Sequence, residues 1–116
     1  MLAVTDSGTV YVMYDTFTGP AVTGQFHVHL ASSADLGQTF SDQVLYDFSP
    51  SGISFSGDRL LGDYDKLVAV GNTVYGVFSG RGNVNDPVTL IDTTNKDVPM
   101  VFSFSEGSSP VSLQKK

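Results

Sequence analysis

Short apolar runs alternate with tight-turn residues along most of this chain. Leu2-Ala3-Val4-Thr5, then Asp6-Ser7-Gly8, then Thr9-Val10-Tyr11-Val12-Met13-Tyr14 predicts strand, turn and strand. The same pattern returns at Leu67-Val68-Ala69-Val70, Gly71-Asn72 and Thr73-Val74-Tyr75-Gly76-Val77-Phe78, which places Tyr75 64 residues after Tyr11. The chain therefore carries an internal repeat. In each copy the second strand is apolar on successive residues, as in Val10 to Tyr14, and such a strand is expected to be covered on both faces. Gly76, inside the second copy, predicts a close approach of backbone or a bulge.

A lone two-layer sandwich leaves one face of each sheet bare, whereas a β-propeller packs every four-stranded blade between two neighbours. The expectation is an all-β chain that forms part of a propeller, about two four-stranded antiparallel blades; the alternative is a sandwich in which the likeness of the hairpins is coincidental. Residues 1–50 read as a first blade. Its strands after the hairpin are Phe26 to Ala31 and Gln43 to Phe48, joined by a turn at Ser33 to Gln38. Ser49 to Gly57 reads as a loop between blades, and 51–105 as a second, less regular blade. Short strands are expected at Val88 to Ile91 and at Pro99 to Phe104, with Pro99 restricting the latter to a strand start or an edge. Residues 106–116 read as a polar, frayed tail. Because propellers have about four to eight blades, two repeats imply a fragment, a terminal portion or a unit that closes by self-association.

Composition narrows the classes. Val, Leu, Phe and Ile make up 34 of 116 residues, enough to build a core, while one Glu and five Ala leave few helix formers. With no cysteine there is no disulfide scaffold, thiolate metal site or cysteine nucleophile. A net charge of −6 with six Lys and Arg gives no basic stripe, so nucleic acid and acidic lipid surfaces are not expected partners. No apolar run approaches the ~18 residues of a membrane helix, and the N-terminal residues do not resemble a signal peptide.

The octet Ser33-Ala34-Asp35-Leu36-Gly37-Gln38-Thr39-Phe40 fits S-x-D-x-G-x-T-[FW] at every fixed position. Asp35 can accept hydrogen bonds from its own turn, Gly37 permits positive φ, Ser33 and Thr39 can satisfy further turn groups, and Phe40 is expected to return to the apolar interior. This octet resembles the Asp-box of the sialidase-like propellers, the bacterial neuraminidase repeat family, where it joins the third and fourth strands of a blade and plays a structural part. Gly62-Asp63-Tyr64-Asp65-Lys66-Leu67-Val68-Ala69-Val70 followed by Thr73 to Arg81 resembles a second stretch of the same group, with Phe78 where Trp is common. The resemblance implies a secreted or cell-surface glycoside hydrolase, or a carbohydrate-binding relative without catalysis. Sialidases of that family use a Tyr nucleophile backed by Glu, an Asp acid/base and three Arg. Two Arg and one Glu cannot supply that set, so no catalytic residue carries over and the chain is expected to be catalytically incomplete.

Asp58, Arg59, Asp63, Tyr64 and Asp65 cluster at the start of what should be an innermost strand, facing the channel where propellers bind ligands. They are the candidate site residues; capping of loop backbone by Asp63 and Asp65 and inter-blade packing of Tyr64 is the structural alternative. His27 and His29, two apart on one strand, project to one face and could supply two imidazoles to zinc, but a third ligand is not evident, so no metal is expected. The Asn83 to Asp86 stretch lacks a calcium-loop pattern, and Gly80-Arg81-Gly82-Asn83 lacks phosphate-loop spacing. No cofactor is called for. The expected partners are a glycan substrate or ligand, the remaining blades of a longer chain, or further copies of this one.

Overall fold

A computed structural model describes residues 1–20, 23–48, 65–81, 97–108 and 112–115. Asp58, Arg59, Asp63, Tyr64, the loop over 49–57, the Val88 to Ile91 strand and the Asn83 to Asp86 loop lie outside the described residues. The described chain is all-β, in two antiparallel four-stranded sheets, with no helix among the described residues. Sheet 1 comprises β1 (Leu2–Val4), β2 (Val10–Thr18), β3 (Gln25–Ser33) and β4 (Ser41–Phe48); sheet 2 comprises β5 (Lys66–Val70), β6 (Thr73–Arg81), β7 (Asp97–Ser105) and β8 (Ser112–Lys115). In each sheet the spatial order equals the sequence order, an up-and-down meander.

The fold corrects two readings of the sequence. The stretch read as a frayed tail supplies β8, which pairs with Met100 to Ser103 and turns β7 into a central strand. Polarity hid it, because a strand at a sheet's rim needs no apolar run. Pro99 is nonetheless tolerated: pairing to β8 begins at Met100, so at Pro99 β7 has a ladder partner on one side only. Phe40, expected in the interior, is half-exposed. Its ring lies 4.0 Å from where a Cβ on Gly37 would stand, so it packs over its own turn instead.

One core joins the sheets. Tyr11 and Met13 from β2, Val28 and Leu30 from β3 and Phe48 from β4 meet Val74, Phe78, Met100 and Phe102 of sheet 2. Tyr46 and Phe78 approach with ring centroids at 6.0 Å, as do Tyr11 and Phe104. Gly76 is buried beneath the Phe102 ring, which would meet any Cβ placed there, so what approaches closely is a side chain and not the backbone or bulge expected from sequence. The β1–β2, β5–β6 and β7–β8 turns gather at one end, where the Asp6 N–H donates to the Gly71 carbonyl at 3.0 Å and Glu106 accepts from Thr5 Oγ1 and Ser7 Oγ, each at 2.8 Å. The β3–β4 octet lies at that same end, since Ser33 pairs with Val10.

The repeat has a direction. Strands alternate their side chains between faces, so with Tyr11 and Met13 inward, Val10, Val12 and Tyr14 point outward. In the second copy Val74 and Phe78 point inward and Tyr75 points outward. Equivalent residues of the two hairpins thus face the same rotational sense instead of facing one another. The sheets stack head to tail, front of sheet 1 on back of sheet 2, and a two-fold sandwich would have placed Val10 and Val74 in one interior. The β1–β2 turn holds Asp6, Ser7 and Gly8 where the β5–β6 turn holds only Gly71 and Asn72. Aligning the turns therefore makes Ala3 and Thr5 equivalent to Val68 and Val70.

Candidate functional site

The octet turn folds as its side chains dictate. Ser33 Oγ donates to Asp35 Oδ1 at 2.7 Å and accepts from the Gly37 N–H at 2.8 Å. The Thr39 N–H donates to Asp35 Oδ1 at 2.9 Å and Thr39 Oγ1 to Oδ2 at 2.5 Å. Gly37 takes φ of 85° and Leu36, exposed at the tip, φ of 60°, conformations that Asp35 holds in place by binding both flanks. The Thr39 hydroxyl and N–H, then Ser33, hold the Asp35 carboxyl down to about 2 from its ordinary 3.8. Ser33, Asp35, Gly37 and Thr39 form a turn whose side chains bond to one another and to its own backbone.

At the opposite end of the sheets lies a different pair of carboxylates. Asp65, the residue before β5 and the one described member of the candidate channel cluster, is half-buried and its Oδ1 accepts the Ser79 N–H of β6 at 3.1 Å. It therefore binds backbone of a strand, where the structural alternative had it cap a loop. Burial nonetheless pushes its carboxyl up, against the lowering effects of that hydrogen bond and of the N-terminal ammonium. Asp15 of β2 points into the inter-sheet space above Met13, and burial followed by the charge of Asp65 raises it too; the N-terminal ammonium and His29 oppose the rise. The Met1 ammonium is fixed nearby, donating to the Met13 carbonyl at 2.8 Å.

Sequence reasoning passed over Asp15. It stands in an apolar strand read as covered on both faces, and a carboxylate in such a strand was itself the available signal, since buried carboxylates are uncommon unless paired or functional. A measurable consequence follows from the sign of its shift. A carboxyl raised in the folded state is stabilising, relative to the unfolded chain, only below its ordinary 3.8, and that contribution is lost as pH rises through the folded value. Asp15→Asn is expected to raise the urea midpoint at neutral pH and to flatten its decline from pH ~4 upward, read by far-UV circular dichroism across a pH series.

The outward face of sheet 1 carries a second polar assembly. His29 Nδ1 lies 2.8 Å from Asp42 and its Nε2 3.0 Å from Thr16 Oγ1, while His27 Nδ1 lies 2.6 Å from Asp47 and its Nε2 2.8 Å from Thr18 Oγ1. Tyr14 stacks on His29 with centroids at 4.7 Å and donates to Asp42 at 3.0 Å. The two histidines share a face, as their spacing required. Every ring nitrogen already has a neighbour, which makes this a satisfied network in place of a vacant ligand set. Among the described residues no three His, Cys, Asp or Glu are arranged to hold a metal ion, and no helix is long and apolar enough to cross a membrane.

The class these features define is an all-β protein of two stacked meander sheets, with a hydrogen-bonded turn at one end and a half-buried carboxylate pair at the other. The chain matches no family model, no curated protein and no solved structure.

Proposed function

We propose that this chain supplies two neighbouring blades of an Asp-box propeller of the sialidase-like kind, from a secreted or cell-surface protein that handles glycans. Support for the propeller comes from the head-to-tail stacking and from the position of Ser33 to Phe40 between β3 and β4. The observation that carries the glycan reading is the Asp15 and Asp65 pair, held between blades at the end away from the octet turn. Carboxylates are strong paired acceptors for sugar hydroxyls. Burial raises both carboxyls and the charge of Asp65 adds to the rise at Asp15, the kind of environment that acid/base glycosidases use.

A binding module without catalysis is the second reading, and one observation favours it. The chain's single Glu, Glu106, is tied to Thr5 and Ser7 at the octet end, so it cannot back a Tyr nucleophile at the carboxylate pair. The test is saturation-transfer NMR of the chain with sialylated and neutral oligosaccharides, alongside a fluorogenic sialoside. Binding without turnover is expected, with at least tenfold weaker binding in Asp15→Asn and Asp65→Asn. Binding unchanged in both variants, or none to any glycan, overturns the reading.

A further inference from the structure

We propose that the outer face of sheet 2, at Val68, Val70 and Tyr75, docks onto the outer face of sheet 1, at Leu2, Val4 and Val10, of a second copy of this chain. This rests on the head-to-tail stacking alone and is independent of the glycan reading.

Both halves of the internal interface occur twice in one chain. On the buried front of sheet 1, Ala3, Thr5 and Tyr11 are 7%, 5% and 4% exposed. Their equivalents on the front of sheet 2, Val68, Val70 and Tyr75, are 54%, 65% and 47% exposed. On the back of sheet 2, Leu67 and Ala69 pack against the core and Val74 is fully buried. Their equivalents on the back of sheet 1 are Leu2, 62% exposed, Val4, 52% exposed, and Val10, half-buried. The front of one unit therefore meets apolar, largely β-branched surface on the back of the next, in the register that the internal pair already uses. Apolar strand surface left open on two faces marks an interaction site.

The turns extend the match. Within the chain the Asp6 N–H reaches the Gly71 carbonyl, and between copies the equivalent donor, the Gly71 N–H, would be offered to the Asp6 carbonyl. Towards the other end and the rim of sheet 1 the docking face turns polar, with Tyr14, His29 and Asp42 bonded among themselves, which suits the wet rim of an interface around a dry centre. Such a contact is heterologous: one face of each copy meets the other face of the next, giving a ring where the rotation closes and a filament where it does not. At about four to eight blades to a ring, closure takes about two to four copies.

Analytical ultracentrifugation over a concentration series tests this with two face variants. Val68→Glu/Tyr75→Glu blocks the front, and Leu2→Glu/Val4→Glu blocks the back. The unmodified chain is expected to associate, each variant alone to sediment as a monomer, and an equimolar mixture to form a one-to-one dimer through the faces left intact. An unmodified chain that stays monomeric overturns the proposal, as it would if further blades of another kind normally cover these faces. A variant that dimerises by itself shows a two-fold contact and also overturns it, as does a mixture that stays monomeric. Circular dichroism confirms that each variant is folded; if one is not, Val70→Lys or Val4→Lys replaces it with a single change at an exposed position.

Discussion

Gly76→Val is expected to abolish folding of the second sheet, or to leave a protein that melts far below the parent. A Cβ at Gly76 would run into the Phe102 ring, which would have to shift to admit it. Phe102 is buried in the joint core, 6.3 Å by centroid from Phe78, which itself lies against Tyr46 of the other sheet. Overpacking of this kind costs typically about 1–3 kcal/mol and occasionally more. Valine, with two further methyl groups, belongs at the upper end. A small domain holds only about 5–15 kcal/mol in total, so the loss is a large share. The check is a urea titration followed by circular dichroism, with Gly76→Ala as the milder step. A compensating change separates steric collision from a backbone requirement: Gly76 does not take a positive φ, so Gly76→Ala/Phe102→Leu is expected to regain most of the stability that Gly76→Ala alone loses. If the double variant is no better than the sum of its parts, the collision is not the reason for glycine at this position.

What could be read from the sequence was what depends on periodicity and local turn chemistry. The two hairpins, the paired faces of His27 and His29, the octet turn and the need for glycine at 76 all follow from a few neighbouring residues. The order of strands followed because consecutive antiparallel strands with short turns have few other ways to pair. The last strand was missed because Ser112-Leu113-Gln114-Lys115 has one apolar residue, and its place is set by the rim of β7 rather than by its own pattern. Phe40 was misplaced for a related reason. An aromatic residue after a turn has two apolar options, the core or the turn itself, and only the twist of the chain chooses between them.

The candidate site was legible to a smaller degree. Asp65 could be found because it lies in a dense run of charged and aromatic residues before a strand. Its partner Asp15 is 50 residues away in sequence, and the two come together only because sheet 1 presents its front to the back of sheet 2. Head-to-tail stacking is therefore the link between repeat and site. The same rotation that leaves Tyr75 exposed brings the Asp15 side of β2 against the start of β5.

Acid unfolding of this protein is expected to report on Asp35 more than on Glu106 or the Asp15 and Asp65 pair, and Asp35→Asn is expected to remove much of its steepness. The sign follows from the direction of the shift. Asp35 is held at about 2 in the fold against an ordinary 3.8, so between those values the unfolded chain binds a proton that the folded chain refuses. Its contribution is complete above 3.8 and drains away as pH falls to about 2. Glu106 is lowered as well, by the Ser7 and then the Thr5 hydroxyls, so the acid limb has two sources, both at the turn end of the sheets. Thermal midpoints of the parent, Asp35→Asn and Glu106→Gln measured from neutral pH to pH ~2 separate them. Asp35→Asn should lie below the parent at neutral pH and converge with it at the acid end, because protonation has by then removed the same charge from the parent. Parallel curves, with a constant gap at every pH, would mean that the octet depends on the second acceptor oxygen of Asp35, which an amide lacks, and not on its charge. In that case the three hydrogen bonds from Ser33 and Thr39 would hold Leu36 and Gly37 at positive φ without drawing on the carboxylate's charge.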